Sequence, residues 1–171
     1  MLDQVRRGSP LVHCITNYVT VNDCANILLA CGASPIMADD QREAAEITTL
    51  CAGLDINIGT LNERTIPSMH AAGKRAAELG RPVLLDPVGA GASALRTDTA
   101  RSLLADIPFT VVRGNASEIK TLAAGSGTTQ GVDAAASDAL GEDTIASAVA
   151  MARGFALQTG AVVVITGAVA L

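Results

Sequence analysis

The sequence has 171 residues, of which 49% are hydrophobic, and its formal net charge is −5. That length favours a single domain over residues 1–171 with a sizeable buried core. The chain lacks the basic patch that nucleic-acid-binding proteins usually carry, and its apolar runs are far shorter than a membrane span. The N-terminus also lacks the charged-then-apolar pattern of a secretory signal. Neither nucleic acid nor a membrane is therefore an expected partner, and the cytoplasm is the expected location.

Aromatic residues make up only 2% of the chain, so the core is expected to consist of Ala, Val, Leu and Ile. Such a core suits helices that lie closely against a sheet. The chain has four cysteines with no Cys-x-x-Cys pair, at positions Cys14, Cys24, Cys31 and Cys51. They are predicted to be buried small side chains in a reducing compartment.

Short apolar runs alternate along the chain with longer helical stretches. The predicted strands are Val12–Thr16, Ser34–Ala38, Asp55–Ile58, Pro82–Asp86, Phe109–Arg113 and Ala161–Thr166. The predicted helices are Asn22–Cys31, Arg42–Cys51, Asn62–Leu79, Thr97–Ala105, Ala116–Ala123 and Asp143–Thr159. Strand–helix alternation predicts βαβ units and a parallel sheet, hence the α/β class. The small, polar stretch Ser126–Asp143 is predicted to be a mobile surface excursion.

Ligands in open parallel sheets bind at the carboxyl ends of the strands, so residues just after each strand are the most informative. Asp86 begins the stretch Asp86–Gly91, in which an acid is followed by two glycines. An Asp in this place can hold a metal ion or its water shell, although a tight turn capped by Asp86 is the alternative. The segment Gly89–Ala94 also matches the dinucleotide-binding fingerprint, but it lies too far from the strand and lacks an acid at the ribose position.

A second polar stretch, Arg113–Glu118, follows the next predicted strand. Asn115 and Glu118 are three residues apart at a helix start and so share one face. Amide and carboxylate oxygens suit Mg²⁺, and the Arg113 guanidinium could bind phosphate. The alternative is a capping box in which Asn115 caps the helix and Glu118 bonds back to it.

Three further residues follow strands. Thr166 precedes Gly167 at the end of the last predicted strand, where a hydroxyl could touch a nucleotide. Asn17 could hydrogen-bond a small polar heterocycle, and the thioether of Met37 could pack against its ring. The alternatives are a helix cap for Asn17 and a core position for Met37.

Taken in chain order, these segments resemble the hydroxyethylthiazole kinase family, which is ribokinase-like. The resemblance spans almost the whole chain and is carried by Ser9–His13, Ile15–Asn17, Gly32–Ala38, Asn57–Leu61, Asp86–Gly91 and Arg113–Glu118. It implies phosphorylation of the hydroxyl of 4-methyl-5-(2-hydroxyethyl)thiazole by ATP, a step of thiamine biosynthesis and salvage. It also implies Mg²⁺, a three-layer αβα sandwich with a mostly parallel sheet, and a homotrimer.

The resemblance also assigns expected roles to individual residues. Met37 and Asn17 are similar to residues that contact the thiazole. Arg113 and Thr166 are similar to ATP contacts. Asp86 and Glu118, with Asn115 beside them, are similar to the residues on the metal side.

One family feature has no counterpart in this sequence. Family members carry a later glycine-rich turn, which opens a helix and includes the residue near the substrate hydroxyl. The catalytic residue is therefore expected beyond Leu171, and the chain is interpreted as C-terminally truncated and inactive by itself.

Three alternative functions remain at this stage. A lyase of the same fold could act on a hydrated nicotinamide nucleotide and convert ATP to ADP without phosphorylating a thiazole. An NAD(P)-dependent oxidoreductase would depend on the glycine fingerprint alone. The third alternative is a truncated remnant that binds ligands without catalysis.

Overall fold

The computed structural model describes residues 2–124 and 142–167. Within these ranges the chain forms seven helices, which are α1 (Leu2–Gly8), α2 (Val21–Cys31), α3 (Ala44–Leu50), α4 (Thr65–Glu78), α5 (Ala94–Asp106), α6 (Ala116–Ala123) and α7 (Glu142–Thr159). The same ranges contain six strands, which are β1 (Leu11–Ile15), β2 (Ser34–Ile36), β3 (Gly53–Asn57), β4 (Val83–Asp86), β5 (Val111–Asn115) and β6 (Val162–Thr166).

The strands lie in the order β2-β1-β3-β4-β5-β6 within one sheet of the described residues. Strand β1 pairs in parallel with β2 and β3, and β5 pairs in parallel with β6. Parallel neighbours need crossover connections, which the helices between successive strands provide. The predicted α/β class with a parallel sheet is therefore confirmed.

The predicted end of β5 was wrong. Strand β5 was expected to end at Arg113, but its ladder with β6 continues to Asn115. Because side chains alternate along a strand, Val112 and Gly114 are buried whereas Arg113 and Asn115 are exposed on the opposite side.

Contacts divide the chain into two compact units, Met1–Leu84 and Leu85–Leu171, and each is described by itself. In the first unit, α4 buries a stripe of mostly small residues at helical spacing, namely Thr65, Ser68, Met69, Ala72, Gly73 and Ala76. Small side chains let a helix backbone approach its neighbours closely. This agrees with the expectation that the helices lie closely against the sheet.

Among its described residues, the second unit has a largely aliphatic core with two aromatic side chains, Phe109 and Phe155. Its buried members include Leu85, Leu103, Val112, Ile119, Phe155 and Ile165. The predicted excursion Ser126–Asp143 lies, up to residue 141, outside the described residues. Among the helices of the described ranges, none combines the length and apolarity of a membrane span.

Candidate functional site

In the second unit, an acidic side chain at the end of β4 meets a basic side chain of β5. Asp86 is the last residue of β4, and Arg113 lies on the exposed side of β5. The Arg113 Nη1 atom lies 2.9 Å from Asp86 Oδ2. The Asp86 side chain is 14% exposed and that of Arg113 is 48% exposed. A guanidinium placed in this way can exchange its carboxylate partner for a phosphate group.

Glu118 connects two separate backbone segments. Its Oε2 accepts a hydrogen bond from the Asn115 N–H at 2.8 Å, and the Asn115 Oδ1 accepts one from the Glu118 N–H at 2.9 Å. The capping box considered from the sequence is therefore present at the start of α6. The second carboxylate oxygen, Oε1, accepts a hydrogen bond from the Gly89 N–H at 2.7 Å. The residue is only 8% exposed, so it holds the turn after β4 to the end of β5.

Two residues of α5 hold the same turn at other points. Arg96 Nη1 donates to the Val88 carbonyl oxygen at 2.7 Å, and the Gly91 N–H donates to Thr97 Oγ1 at 2.9 Å. Gly89 has φ 75°, and a Cβ there would lie 2.9 Å from the Arg96 guanidinium. The N–H groups of the glycines in this turn thus bind side chains of the same chain. Arg96 and Thr97 were missed in the sequence, where an arginine and a threonine on a helix carry no distinctive signal.

Thr166 lies at the end of β6, directly beside Asn115 in the register with β5. Its side chain is half-buried. The pairing brings the predicted nucleotide contact of β6 next to one of the predicted metal-side residues of β5. The contact of Thr166 with ATP stays a prediction.

The predicted magnesium ligands fit a metal ion only in part. Both carboxylate oxygens of Glu118 already accept backbone N–H groups, and Asn115 Oδ1 accepts from Glu118 N and from Ser117 Oγ. Within residues 2–124 and 142–167, no group of three or more His, Cys, Asp or Glu side chains could hold a metal ion. Asp86, at a strand end beside a cation, remains the best candidate for a direct ligand.

In the first unit, two asparagines lie at the ends of neighbouring parallel strands, Asn57 as the last residue of β3 and Asn17 two residues after β1. Asn17 Nδ2 donates to Asn57 Oδ1 at 3.2 Å, and the Gly59 N–H donates to the same oxygen at 2.8 Å. A Cβ at Gly59 would lie 2.8 Å from the Cβ of Asn17, so only glycine permits this approach. Asn17 Oδ1 accepts from the backbone and hydroxyl of Thr20. Asn17 therefore supports the turn before α2 and does not cap the helix itself, whose first residue is Val21.

Met37 directly follows β2 and is 37% exposed. The alternative of a core position is therefore wrong. An exposed thioether just after a strand is available to pack against a flat apolar ligand. Its contact with a thiazole ring stays a prediction.

The segment after Met37 is held by side chains that sequence reasoning did not select. His13, fully buried on β1, has its Nε2 2.7 Å from the Ala38 carbonyl oxygen and its Nδ1 2.9 Å from Thr48 Oγ1. Because a carbonyl oxygen can only accept, Nε2 carries the proton. Burial lowers the pKa of His13 below its ordinary value of 6.5, although Ala38 and the Glu43 carboxylate act in the opposite direction. The ring is therefore neutral at pH 7.

This burial predicts that stability depends on pH. The folded chain binds the His13 proton less readily than the unfolded chain, so the free energy of unfolding is largest above pH 6.5 and falls below it. As the pH falls below 6.5 towards the lowered pKa of folded His13, we expect a loss of up to about 1.4 kcal/mol per pH unit for this one proton. Denaturant unfolding of the wild type and of His13→Gln measures it. Equal slopes for the two proteins would contradict the assignment.

The cysteines show no sign of a reactive site among the described residues. All four are free thiols, of which Cys14 and Cys51 are buried as predicted and Cys24 and Cys31 are partly exposed. Burial, with a smaller contribution from the Asp55 charge, raises the pKa of the Cys14 thiol to about 12. Cys14 is consequently an unreactive core residue at physiological pH.

Structural comparison first defines the class of protein. Adenosine kinase from Schistosoma mansoni, solved in complex with 2-fluoroadenosine, aligns with 96% of this chain and 56% of its own, with a TM-score of 0.52 and 16% identity. At that identity the likeness concerns the fold alone. Together with the parallel sheet, it agrees with the predicted α/β fold.

Sequence comparison then defines the family. Residues 2–171 match the hydroxyethylthiazole kinase family, and the chain belongs to that family. It is 62% identical to a hydroxyethylthiazole kinase of Clostridium acetobutylicum and 57% identical to one of Desulfovibrio desulfuricans, covering 98% and 99% of this chain and 62% and 59% of those relatives. The hydroxyethylthiazole kinase structure from Pyrococcus horikoshii OT3 has a TM-score of 0.85 and 38% identity, covering 99% of this chain and 60% of its own. The chain thus spans about three fifths of the length of these relatives.

Proposed function

We propose that the protein transfers the γ-phosphoryl group of ATP to the hydroxyl of 4-methyl-5-(2-hydroxyethyl)thiazole, in thiamine biosynthesis and salvage. Membership of the family supports this reaction. The observation that carries it is the pair of Asp86, at the end of β4, and Arg113, on the exposed side of β5. An acid and a guanidinium there supply the two kinds of group that phosphoryl transfer requires.

On the nucleotide side, the Arg113 side chain is the group that would change its partner when ATP binds. Its guanidinium is half exposed, so it can turn to phosphate oxygens, and Asp86, which is only 14% exposed, would then need another cation beside it. Thr166, in register with Asn115 at the neighbouring strand end, would add a hydroxyl contact to the nucleotide. Arg113 would thus offset phosphate charge while Asp86 becomes available to a cation.

Mg²⁺, when bound, would neutralise charge on the ATP phosphates beside Asp86. Glu118 and Asn115 would not coordinate the metal ion directly, because their side-chain oxygens already accept hydrogen bonds from backbone N–H groups and a hydroxyl of the chain. In this proposal they fix the turn that carries Gly89 and so keep Asp86 in place.

On the substrate side, Asn17 and Met37 would recognise the thiazole. The amide of Asn17 is held on both ends by Asn57 and Thr20, so its orientation is set before a ligand arrives. Preorganised polar groups of this kind confer specificity for a heterocycle with hydrogen-bonding atoms. Met37 would add contact with the apolar side of the ring.

The production of ADP from ATP tests this function. With the product of the complete reading frame, we expect ADP to form only when the hydroxyethylthiazole is present and in equal amount to the phosphorylated thiazole. ADP formation that requires a hydrated nicotinamide nucleotide would instead support the lyase. Absence of turnover together with binding of ATP would support the ligand-binding remnant.

We further propose that the protein is a cytoplasmic homotrimer. Helix α2 has no buried residue, and four apolar side chains on it or just before it are exposed in the described chain, namely Tyr18, Val19, Ile27 and Leu29. An apolar surface of this kind is typical of a protein–protein interface. Light scattering during gel filtration should give three times the protomer mass.

A further inference from the structure

Two buried polar side chains bind successive carbonyl groups of the short segment Met37–Asp39. His13 Nε2 donates to the Ala38 carbonyl oxygen at 2.7 Å. The single hydroxyl proton of Ser68 is shared between the Asp39 carbonyl oxygen at 2.7 Å and the Arg64 carbonyl oxygen at 3.0 Å. His13 belongs to β1 and Ser68 to α4, and both are fully buried. The segment is therefore attached from two elements that are far apart in the sequence.

A buried polar side chain is costly unless it is hydrogen-bonded, so these two donors are not ordinary core residues. An aliphatic residue would fill either position without that cost. The segment has a third attachment at its end, where the Tyr18 hydroxyl donates to Asp39 Oδ2 at 2.7 Å. Three side chains thus hold a segment of three residues that belongs to no strand or helix.

The segment is also the one that presents Met37. The Met37 side chain is exposed, whereas Ala38 directly after it is buried and bound by His13. A hydrogen bond to the next residue fixes the backbone from which the thioether projects. The attachment therefore sets the direction in which the Met37 side chain projects and does not change its chemical properties.

We propose that His13 and Ser68 are positioning residues that hold Met37 in the orientation in which it contacts the thiazole ring. The inference rests on the proposed function, because the thiazole alcohol is the ligand whose binding it explains. Loss of the attachment is therefore expected to lower the affinity for the thiazole alcohol and to leave the affinity for ATP unchanged. Residues of a binding site must be held within about 0.5 Å of the productive geometry by packing and hydrogen bonds, so backbone attachment of this kind matters.

The test compares four variants of the product of the complete reading frame. His13→Leu removes the donor to Ala38 at similar volume, and Ser68→Ala removes the donor to Asp39. His13→Gln keeps an N–H that can reach the Ala38 carbonyl. The matched control is Val83→Ala, a change to a buried residue of β4 that loses stability without removing either attachment.

For His13→Leu we expect the KM for the thiazole alcohol to rise about tenfold, with kcat and the KM for ATP within about twofold. Calorimetric binding of the alcohol without ATP should weaken by the same factor. Ser68→Ala should shift the same quantities in the same direction, His13→Gln should restore most of the loss, and Val83→Ala should leave the KM unchanged.

Two results would overturn the proposal separately from the function. An unchanged thiazole KM in folded His13→Leu and in Ser68→Ala would remove the positioning role while the kinase activity stands. An equal KM increase in Val83→Ala would show that general destabilisation is the cause. A wild-type protein that shows no thiazole-dependent turnover would instead refute the proposed function, and the positioning role with it. If His13→Leu does not fold, the comparison of Ser68→Ala with Val83→Ala decides the question.

Discussion

Replacing Asp86 with Asn in the product of the complete reading frame is expected to lower kcat for thiazole phosphorylation by at least about 100-fold. The change keeps the size and most hydrogen bonds of the side chain but removes its charge. Asp86 is the carboxylate at the end of β4, and its Oδ2 pairs with Arg113 at 2.9 Å. Without its negative charge, the positive charge of a cation bound beside the ATP phosphates would no longer be balanced. Steady-state kinetics with the thiazole alcohol and ATP measure the effect.

The matched control for this prediction is Asp98→Asn, which makes the same chemical change on an exposed position of α5. It should leave kcat within about twofold, because an exposed carboxylate of this kind contributes little. The folding of both variants should be compared with the wild type by thermal unfolding. Turnover of Asp86→Asn near the wild-type value would remove Asp86 from the phosphoryl-transfer site.

Replacing Glu118 with Gln is expected to lower both stability and kcat without raising the Mg²⁺ concentration required for activity. The carboxylate accepts the N–H groups of Gly89 at 2.7 Å and Asn115 at 2.8 Å, and a Gln amide can accept only one of them. The other N–H would face an N–H₂ group in a nearly buried place, which should cost about 1–3 kcal/mol of unfolding free energy. Denaturant unfolding and a Mg²⁺ titration of activity are the measurements.

The control for Glu118 is Glu78→Gln, which loses only an exposed ion pair with Arg75 at 2.9 Å. Its unfolding free energy should change by no more than about 1 kcal/mol. A direct metal ligand and a residue that holds the backbone differ in the Mg²⁺ titration. A strongly raised Mg²⁺ requirement with unchanged stability in Glu118→Gln would support direct coordination and contradict the role argued here.

The glycines of the turn after β4 bear on the alternative of a dinucleotide-binding enzyme. Gly89 donates its N–H to Glu118, and Gly91 donates its N–H to Thr97. In the dinucleotide fingerprint the glycines instead let the backbone approach a pyrophosphate. The fingerprint match is thus explained by a turn that the protein's own side chains hold, in agreement with membership of a kinase family.

The sequence by itself determined the alternation of strands and helices and hence the α/β class. It also pointed to Asp86 and Arg113, because residues at the ends of parallel strands meet at one edge of a sheet. The capping box of Asn115 and Glu118 was visible as a spacing of three residues at a helix start. These features are local, since each depends on residues within a few positions of one another or on a general rule about strand ends.

Only the tertiary structure decided what the polar residues do beyond their own neighbourhood. Gly89 and Glu118 are separated by 29 residues, His13 and Ala38 by 25, and nothing in the local spacing indicates either hydrogen bond. The register of β5 with β6 likewise extended that strand to Asn115, and packing left Met37 exposed. Strand register and helix packing choose among many partners of similar chemistry, so periodicity along the chain cannot assign such pairs.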